Sequence, residues 1–297
     1  MATLQQWVQG SRPRTLPAAF APVAAGTGAA IHLTGLYWEH VVPRSLLALA
    51  VALSLQVGVN FANDYSDGIR GTDDERVGPF RLVGSGAASP RTVKRAAFLA
   101  LGLGGLLGIV LVALSGIWWM LLAGAAAILA AWFYTGGKRP YGYLGLGEVF
   151  VFVFFGLVAV CGTSYAITGE LTGLSVLIAC AIGLLAVAIM LTNNLRDIPT
   201  DRESGKTTLA VRLGDRRTRI LFAAVTLAPF VLLVPVMVQV PWTALVLLAL
   251  PLAILPARVV LRGASGAGLI PVLGAAGRLE LIFSILLLLG FVLGSAA

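Results

Sequence analysis

Charge is what this 297-residue chain has least of. Only 11% of its residues are charged, against 58% hydrophobic, and its mean hydropathy is +0.93. Soluble domains carry about 25% charged residues, so a soluble globular fold is excluded and a polytopic membrane protein is left. Cysteine is nearly absent. Cys161 and Cys180 both fall in apolar runs, which points to neither a disulfide framework nor a thiolate metal cluster. The net charge of +8 is not a nucleic-acid signal, because the basic residues lie between apolar runs. There, positive charge sets topology and meets anionic lipid.

What the chain has is a series of long apolar runs. They cover about residues 15–33, 45–63, 96–114, 117–134, 147–167, 174–195, 220–240, 242–261 and 279–293, each close to the ~20 residues that a bilayer core requires. The expectation is an all-α polytopic membrane protein of nine transmembrane helices, folded as a single domain over 1–297. The short amphipathic start, 1–14, precedes a run interrupted by Pro17 and Pro22, and it is expected to stay on the chain rather than to be a cleaved signal peptide. With these spans, 20 of the 21 basic residues fall on one side of the membrane, leaving Arg44 opposite. By the positive-inside rule the N-terminus and the polar loops 64–95, 135–146 and 196–219 are cytoplasmic, and an odd span count puts the C-terminus outside.

Carboxylates are few, yet 9 of the 13 lie in the loops 64–95 and 196–219, on the same face. The stretch 60–73 reads N-F-A-N-D-Y-S-D-G-I-R-G-T-D, and 193–201 reads N-N-L-R-D-I-P-T-D. Asn60 aligns with Asn193 and Asp64 with Asp197 at one offset of 133 residues, a pseudo-repeat in which Asp67 stands opposite Thr200 and Gly68 opposite Asp201. On a helix, Asn60, Asp64 and Asp67 share one face, and ionisable residues at a membrane edge are functional candidates by default. Two such faces meeting across a bundle make an all-oxygen pocket suited to Mg²⁺, which keeps some water and completes its shell with substrate phosphate. Arg70, Lys138, Arg139, Arg196 and Lys206 are placed to reach the same mouth. Cations and metal there would neutralise the charge developing on a diphosphate leaving group. Gly136 and Gly137 let the backbone before Lys138 approach a ligand closely. Tyr134, Tyr141 and Tyr143 either flank a cationic intermediate with their π faces or serve as interfacial aromatics.

These motifs resemble the UbiA superfamily of intramembrane aromatic prenyltransferases. Within it, N-D-Y-S-D-G-I-R-G-T-D (63–73), Y-T-G-G-K-R-P-Y-G-Y-L-G-L-G-E (134–148) and N-N-L-R-D-I-P-T-D-R-E-S-G-K-T-T-L-A-V-R-L-G (193–214) are similar to the menaquinone-pathway branch, the 1,4-dihydroxy-2-naphthoate polyprenyltransferases. S-R-P-R-T-L-P-A-A (11–19) and the G-P-x-R-L-V-x-S-G loop (78–86) fit the same branch. The resemblance implies helices ringed around a central cavity with a lateral opening for a prenyl tail. It implies that Asp64 and Asp67 bind one Mg²⁺ and Asp197 and Asp201 another, that Asn60 and Asn193 complete or orient these sites, and that Lys138 and Arg139 hold the diphosphate. The implied substrates are a polyprenyl diphosphate and 1,4-dihydroxy-2-naphthoate, in the plasma membrane with the site facing the cytoplasm. Gly68 departs from the broader pattern, where many members carry a third aspartate, and Asp67 compensates.

Two readings of another class compete. A Mg²⁺ transporter or channel would also use carboxylates and helical repeats, but it should carry polar groups near mid-membrane in several spans, and these spans are nearly free of charge. A purely structural membrane subunit would have no use for two matching Asn-x-x-x-Asp motifs. Within the enzyme class, prenylation of 4-hydroxybenzoate or another phenol is the alternative that residue spacing leaves open.

Overall fold

A computed structural model describes residues 2–70, 80–138 and 140–296. All regular structure among them is helical. The order is α1 (Leu4–Gly10), a turn at Pro13–Thr15, α2 (Pro17–Thr34), α3 (Trp38–Gly68), α4 (Pro90–Ser115), α5 (Met120–Phe133), a turn at Tyr141–Leu144, then α6 (Gly147–Val151). A π-helical segment, Phe152–Cys161, leads into α7 (Gly162–Thr168), α8 (Gly173–Arg196), α9 (Ile198–Glu203), α10 (Leu209–Leu213) and α11 (Asp215–Leu232). The chain ends with α12 (Val234–Gln239), a 3₁₀ stretch Pro241–Ala249, α13 (Leu250–Leu261), a turn Gly266–Leu269 and α14 (Ile270–Ala296). Seven of these helical stretches are long and apolar enough to cross a membrane. The pair Leu4–Thr15 and Pro17–Thr34, bent by 48°, and the shorter apolar helix Met120–Phe133 join them. Each expected apolar run falls on one of these.

Several boundaries differ from the sequence reading, α4 starting at Pro90 and α11 at Asp215 among them, for one reason: hydropathy reports contact with lipid, not helicity. Residues 38–44, expected in a loop, are the first turns of α3. That helix also continues through Asp64 and Asp67, which were expected to open a polar loop. At 31 residues it is about 46 Å long, more than the ~30 Å hydrocarbon core, and its C-terminal end carries the first acidic motif. The last helix begins at Ile270 rather than near 279, because Arg278 and Glu280 interrupt the apolar run without interrupting the helix. The loop 196–219 contains α9, α10 and the start of α11.

Lipid offers helices no hydrophobic reason to associate, so packing rests on close backbone approach at small residues. Helix α8 is the centre: 67% of its most apolar stretch is buried. A Cβ placed on Gly156 would stand 2.7 Å from the Ala179 carbonyl oxygen and from Gly183 Cα, and one on Gly26 would meet the Val160 carbonyl oxygen at 2.5 Å. The π-helical segment therefore lies backbone to backbone against α8 and α2. Beyond them α11, α13 and α14 pack in succession, and α14 returns along α2. On the other side α3 pairs along α4, and α5 leans on both. Between α5 and the segment 152–161 lies the wide interior described below. Arg44, the one basic residue expected on the far face, donates at 2.9 Å to the carbonyls of Ile167 and Leu114, in the last turns of α7 and α4. It satisfies orphan C-terminal carbonyls of two helices, which is a structural use for the cation that breaks the charge asymmetry.

Candidate active site

A cavity of about 1340 Å³ runs between α3, α4, α5, the segment 152–161 and α8. Most of its wall is apolar, supplied by small residues of α4 and α5, such as Gly104, Gly108, Ala123 and Ala127, and by Phe154, Phe155 and Val158 opposite. At one end the wall turns polar. There Asn60, Asn63 and Asp67 of α3 share the lining with Asn193, Asn194 and Arg196 of α8, Asp197 in the break after it, Asp201 of α9, and Lys206. The two acidic motifs, 133 residues apart in sequence, thus face one space.

The sequence-predicted residues fall into three groups. Asp67, Asp197, Asp201, Asn60, Asn193, Arg196, Lys206, Tyr134 and Tyr141 line the cavity. Asp64, Arg70 and Lys138 lie outside the lining, and Arg139 lies outside the described residues. Asp64 is wholly buried: its Oδ2 accepts the Leu82 N–H at 2.7 Å and its Oδ1 the Val83 N–H at 3.1 Å. The carboxylate fastens the chain at 82–83 onto α3. Gly68 belongs to the same contact, since a Cβ there would come within 2.4 Å of Val83 Cγ1. A side chain at position 68 would collide with Val83. The Arg70 guanidinium, expected on a diphosphate, donates to the carbonyls of Thr135 and Gly137 and so holds the Gly136–Gly137 turn. Lys138, on that turn, is exposed.

Tyr143 joins the two halves. Its hydroxyl donates to Asp67 Oδ1 at 3.1 Å, and its carbonyl accepts both the N–H and the Oγ1–H of Thr207 at 3.0 Å. Its ring carries Arg70 at 5.4 Å and Lys206 at 4.5 Å from the centroid, cation–π contacts of the kind expected from the sequence but formed with side chains. Burial, with the charge of Asp67 next in size, pushes the Tyr143 phenol up to about 12, so it stays protonated and donates to the carboxylate. Arg81 closes on Asp67 at 3.4 Å. On the other motif, Arg196 grips Asp197 through Nε and a terminal nitrogen at 2.7 and 2.9 Å. Burial also raises the Tyr141 phenol. Its hydroxyl donates to the Ala130 carbonyl at 2.8 Å while its ring stacks on Phe150 at 3.9 Å, with Tyr134 edge-on at 5.5 Å.

Sequence reasoning missed Arg12, Asn63, Arg81 and Asn194, all in the lining. Arg12 had a signal in Arg-Pro: it is the only described non-glycine with positive φ (55°), a conformation that costs of order 1–3 kcal/mol and occurs here at the polar end of the cavity. Asn63 and Asn194 stand beside the motif positions on which the repeat aligns.

The polar end is rich in carboxylate and amide oxygen, which suits a hard divalent cation such as Mg²⁺. Among the described residues no three His, Cys, Asp or Glu side chains converge as a ready-made cage.

The pattern characteristic of the UbiA prenyltransferase family matches residues 16–268. The chain is 52% identical to 1,4-dihydroxy-2-naphthoate octaprenyltransferase of Mycobacterium tuberculosis H37Rv, over 96% of each chain. It is 39% identical to the Escherichia coli K12 protein of the same name, over 99% of this chain and 97% of that one. Among solved structures, a UbiA homolog from Aeropyrum pernix K1 without ligand matches with TM-score 0.71 at 18% identity, over 93% and 97% of the two chains. A UbiA homolog from Archaeoglobus fulgidus bound to GPP and Mg²⁺ matches with TM-score 0.66 at 16% identity, over 97% and 99%.

Proposed function

The chain belongs to the UbiA prenyltransferase family, and on that premise we propose that it transfers a polyprenyl group from its diphosphate to 1,4-dihydroxy-2-naphthoate. The observation that carries this reading is the single cavity that joins both acidic motifs at its polar end to a long apolar interior. A substrate with a charged head, a reactive allylic carbon and a hydrocarbon tail matches that gradient. Its tail lies along the glycine- and alanine-lined wall of α4 and α5, and its diphosphate lies among Arg196, Lys206 and the acidic motifs. Asp64 and Asp67 would hold one Mg²⁺ and Asp197 and Asp201 a second. To serve as a ligand, Asp64 would have to give up its bonds to the Leu82 and Val83 amides. When bound, Mg²⁺ neutralises charge on the departing diphosphate.

The chain's own groups account for the remaining steps. Arg196 and Lys206 stabilise the diphosphate as its C–O bond breaks, and such preorganised charge is worth most where water is excluded. The π faces of Tyr134 and Tyr141 stand beside the allylic cation. The electron-rich naphthoate ring attacks that cation at the carbon bearing the carboxylate. The ring-to-carboxylate bond then breaks, CO₂ leaves, and its electron pair restores aromaticity to give demethylmenaquinol. By the charge asymmetry the polar end opens to the cytoplasm, in a plasma-membrane protein that forms one transmembrane unit over 1–297.

A product assay on purified protein in detergent tests this. It offers 1,4-dihydroxy-2-naphthoate and 4-hydroxybenzoate with a polyprenyl diphosphate, in Mg²⁺ and then in EDTA. The expected product is a prenylated naphthoquinol without the carboxylate, formed only with metal. Prenylated hydroxybenzoate alone would move the protein to another acceptor, and no product from folded protein would overturn prenyl transfer.

A further inference from the structure

At the start of α6, Glu148 is buried, 4% exposed. Its Oε1 accepts a hydrogen bond from Asn194 Nδ2 at 2.8 Å, and its Oε2 is buried without a partner. The pair takes no part in the steps of prenyl transfer. It fixes one thing about Asn194: a glutamate oxygen held by an amide N–H₂ leaves the asparagine's carbonyl oxygen turned the other way. Asn194 lines the cavity, and among the described residues Oδ1 accepts no hydrogen bond. The oxygen therefore points away from Glu148, on a side chain that lines the cavity.

Its position along α8 is informative. Asp197 lies three residues toward the polar end, Met190 four residues toward the apolar interior, and all three line the cavity. Residues three and four apart share a helix face, so the lining passes from carboxylate through neutral carbonyl to thioether within about two turns. Flat rings stand close by. Gly147, next to Glu148, packs against Tyr134 and Met190, and Phe150 stacks on Tyr141. A hydroxylated aromatic ring placed one turn below the diphosphate would meet aromatic walls and one hydrogen-bond acceptor.

Resting on the prenyl transfer proposed above, we propose that Asn194 Oδ1 accepts a ring hydroxyl of the aromatic acceptor, and that Glu148 is the positioning residue that keeps this oxygen, rather than the amide N–H₂, facing the cavity. Asn194 then selects acceptors that carry a hydroxyl donor at the matching ring position. A site built to accept a hydroxyl rejects an analogue without it far more strongly than an apolar pocket does.

The test compares kcat/KM for 1,4-dihydroxy-2-naphthoate with that for 1-hydroxy- and 4-hydroxy-2-naphthoate in the parent protein, Asn194→Leu and Glu148→Gln. Glutamine keeps the volume of Glu148 but offers a donor as well as an acceptor, so the asparagine is no longer held in one orientation. Both variants should lose about tenfold of the parent's preference for the dihydroxy acceptor over one of the analogues. KM for the polyprenyl diphosphate should stay unchanged, a split that a merely structural lesion would not produce. Preferences unchanged against both analogues, or equal rises in KM for donor and acceptor, would overturn the assignment. If the parent protein makes no prenylated naphthoquinol, it is the proposed function that fails instead.

Discussion

The two acidic motifs look like copies in sequence and are built differently in space. Asn60, Asp64 and Asp67 ride on the last turns of a continuous 31-residue helix, whereas α8 stops at Arg196 and Asp197 sits in the break before α9. Pro199 accounts for much of this, since it has no N–H to continue the ladder. The carboxylates are also engaged differently. Asp64 holds backbone amides of the chain at 82–83, while Asp197 holds the guanidinium of its own neighbour. The first motif spends an aspartate on anchoring a crossing segment, and the second spends an arginine on presenting one. A sequence repeat therefore reports shared chemistry, not a shared backbone.

The largest effects should come from breaking both halves. Asp64→Ala and Asp197→Ala are each expected to lower turnover by at least ~10²-fold, measured as prenylated product per protein. Hydrogen exchange separates them: the Leu82 and Val83 amides should exchange faster in Asp64→Ala and unchanged in Asp197→Ala. Protected amides in Asp64→Ala would show that the anchor is elsewhere. Next is Gly68→Asp, which restores the repeat on paper. With Val83 in the way, it should loosen the segment at 82–83 and reduce activity by roughly tenfold, in line with ~1–3 kcal/mol for overpacking. Limited proteolysis in that segment reads the loosening, and full activity with normal resistance would contradict the steric account. Tyr143→Phe removes one hydrogen bond between the halves, worth about 1 kcal/mol, so kcat/KM should fall about fivefold with KM and kcat sharing the loss. Smallest for catalysis is Arg44→Gln, far from either motif. It should leave turnover unchanged while lowering the unfolding temperature in detergent by a few degrees.

Much of the fold was legible because lipid imposes a strong pattern. Apolar length marked the helices. The ends were not legible: Trp38–Arg44 and Arg278–Glu280 are helical despite their polarity, because a helix satisfies its own backbone in water as well as in lipid. In the site, Asp67, Asp197 and Asp201 were readable as carboxylates at helical spacing. Asp64 and Arg70 were readable as functional types, but their hydrogen bonds to residues 18 and more positions away were not. Asn194 was hidden by its neighbour Asn193, since only the contact with Glu148, 46 residues earlier, sets it apart.

The backbone contact of Gly156 with Gly183 places a limit on how this protein can be altered. Hydropathy counts a glycine in a span as a weak position and a leucine as a strong one. Where two chains touch without side chains between them, the relevant quantity is volume, and every added methylene pushes α8 away from the segment that walls the cavity. Gly156→Leu would make the span more lipid-soluble and the protein less able to assemble. The apolar score of a membrane helix and its fitness to pack run in opposite directions at that crossing.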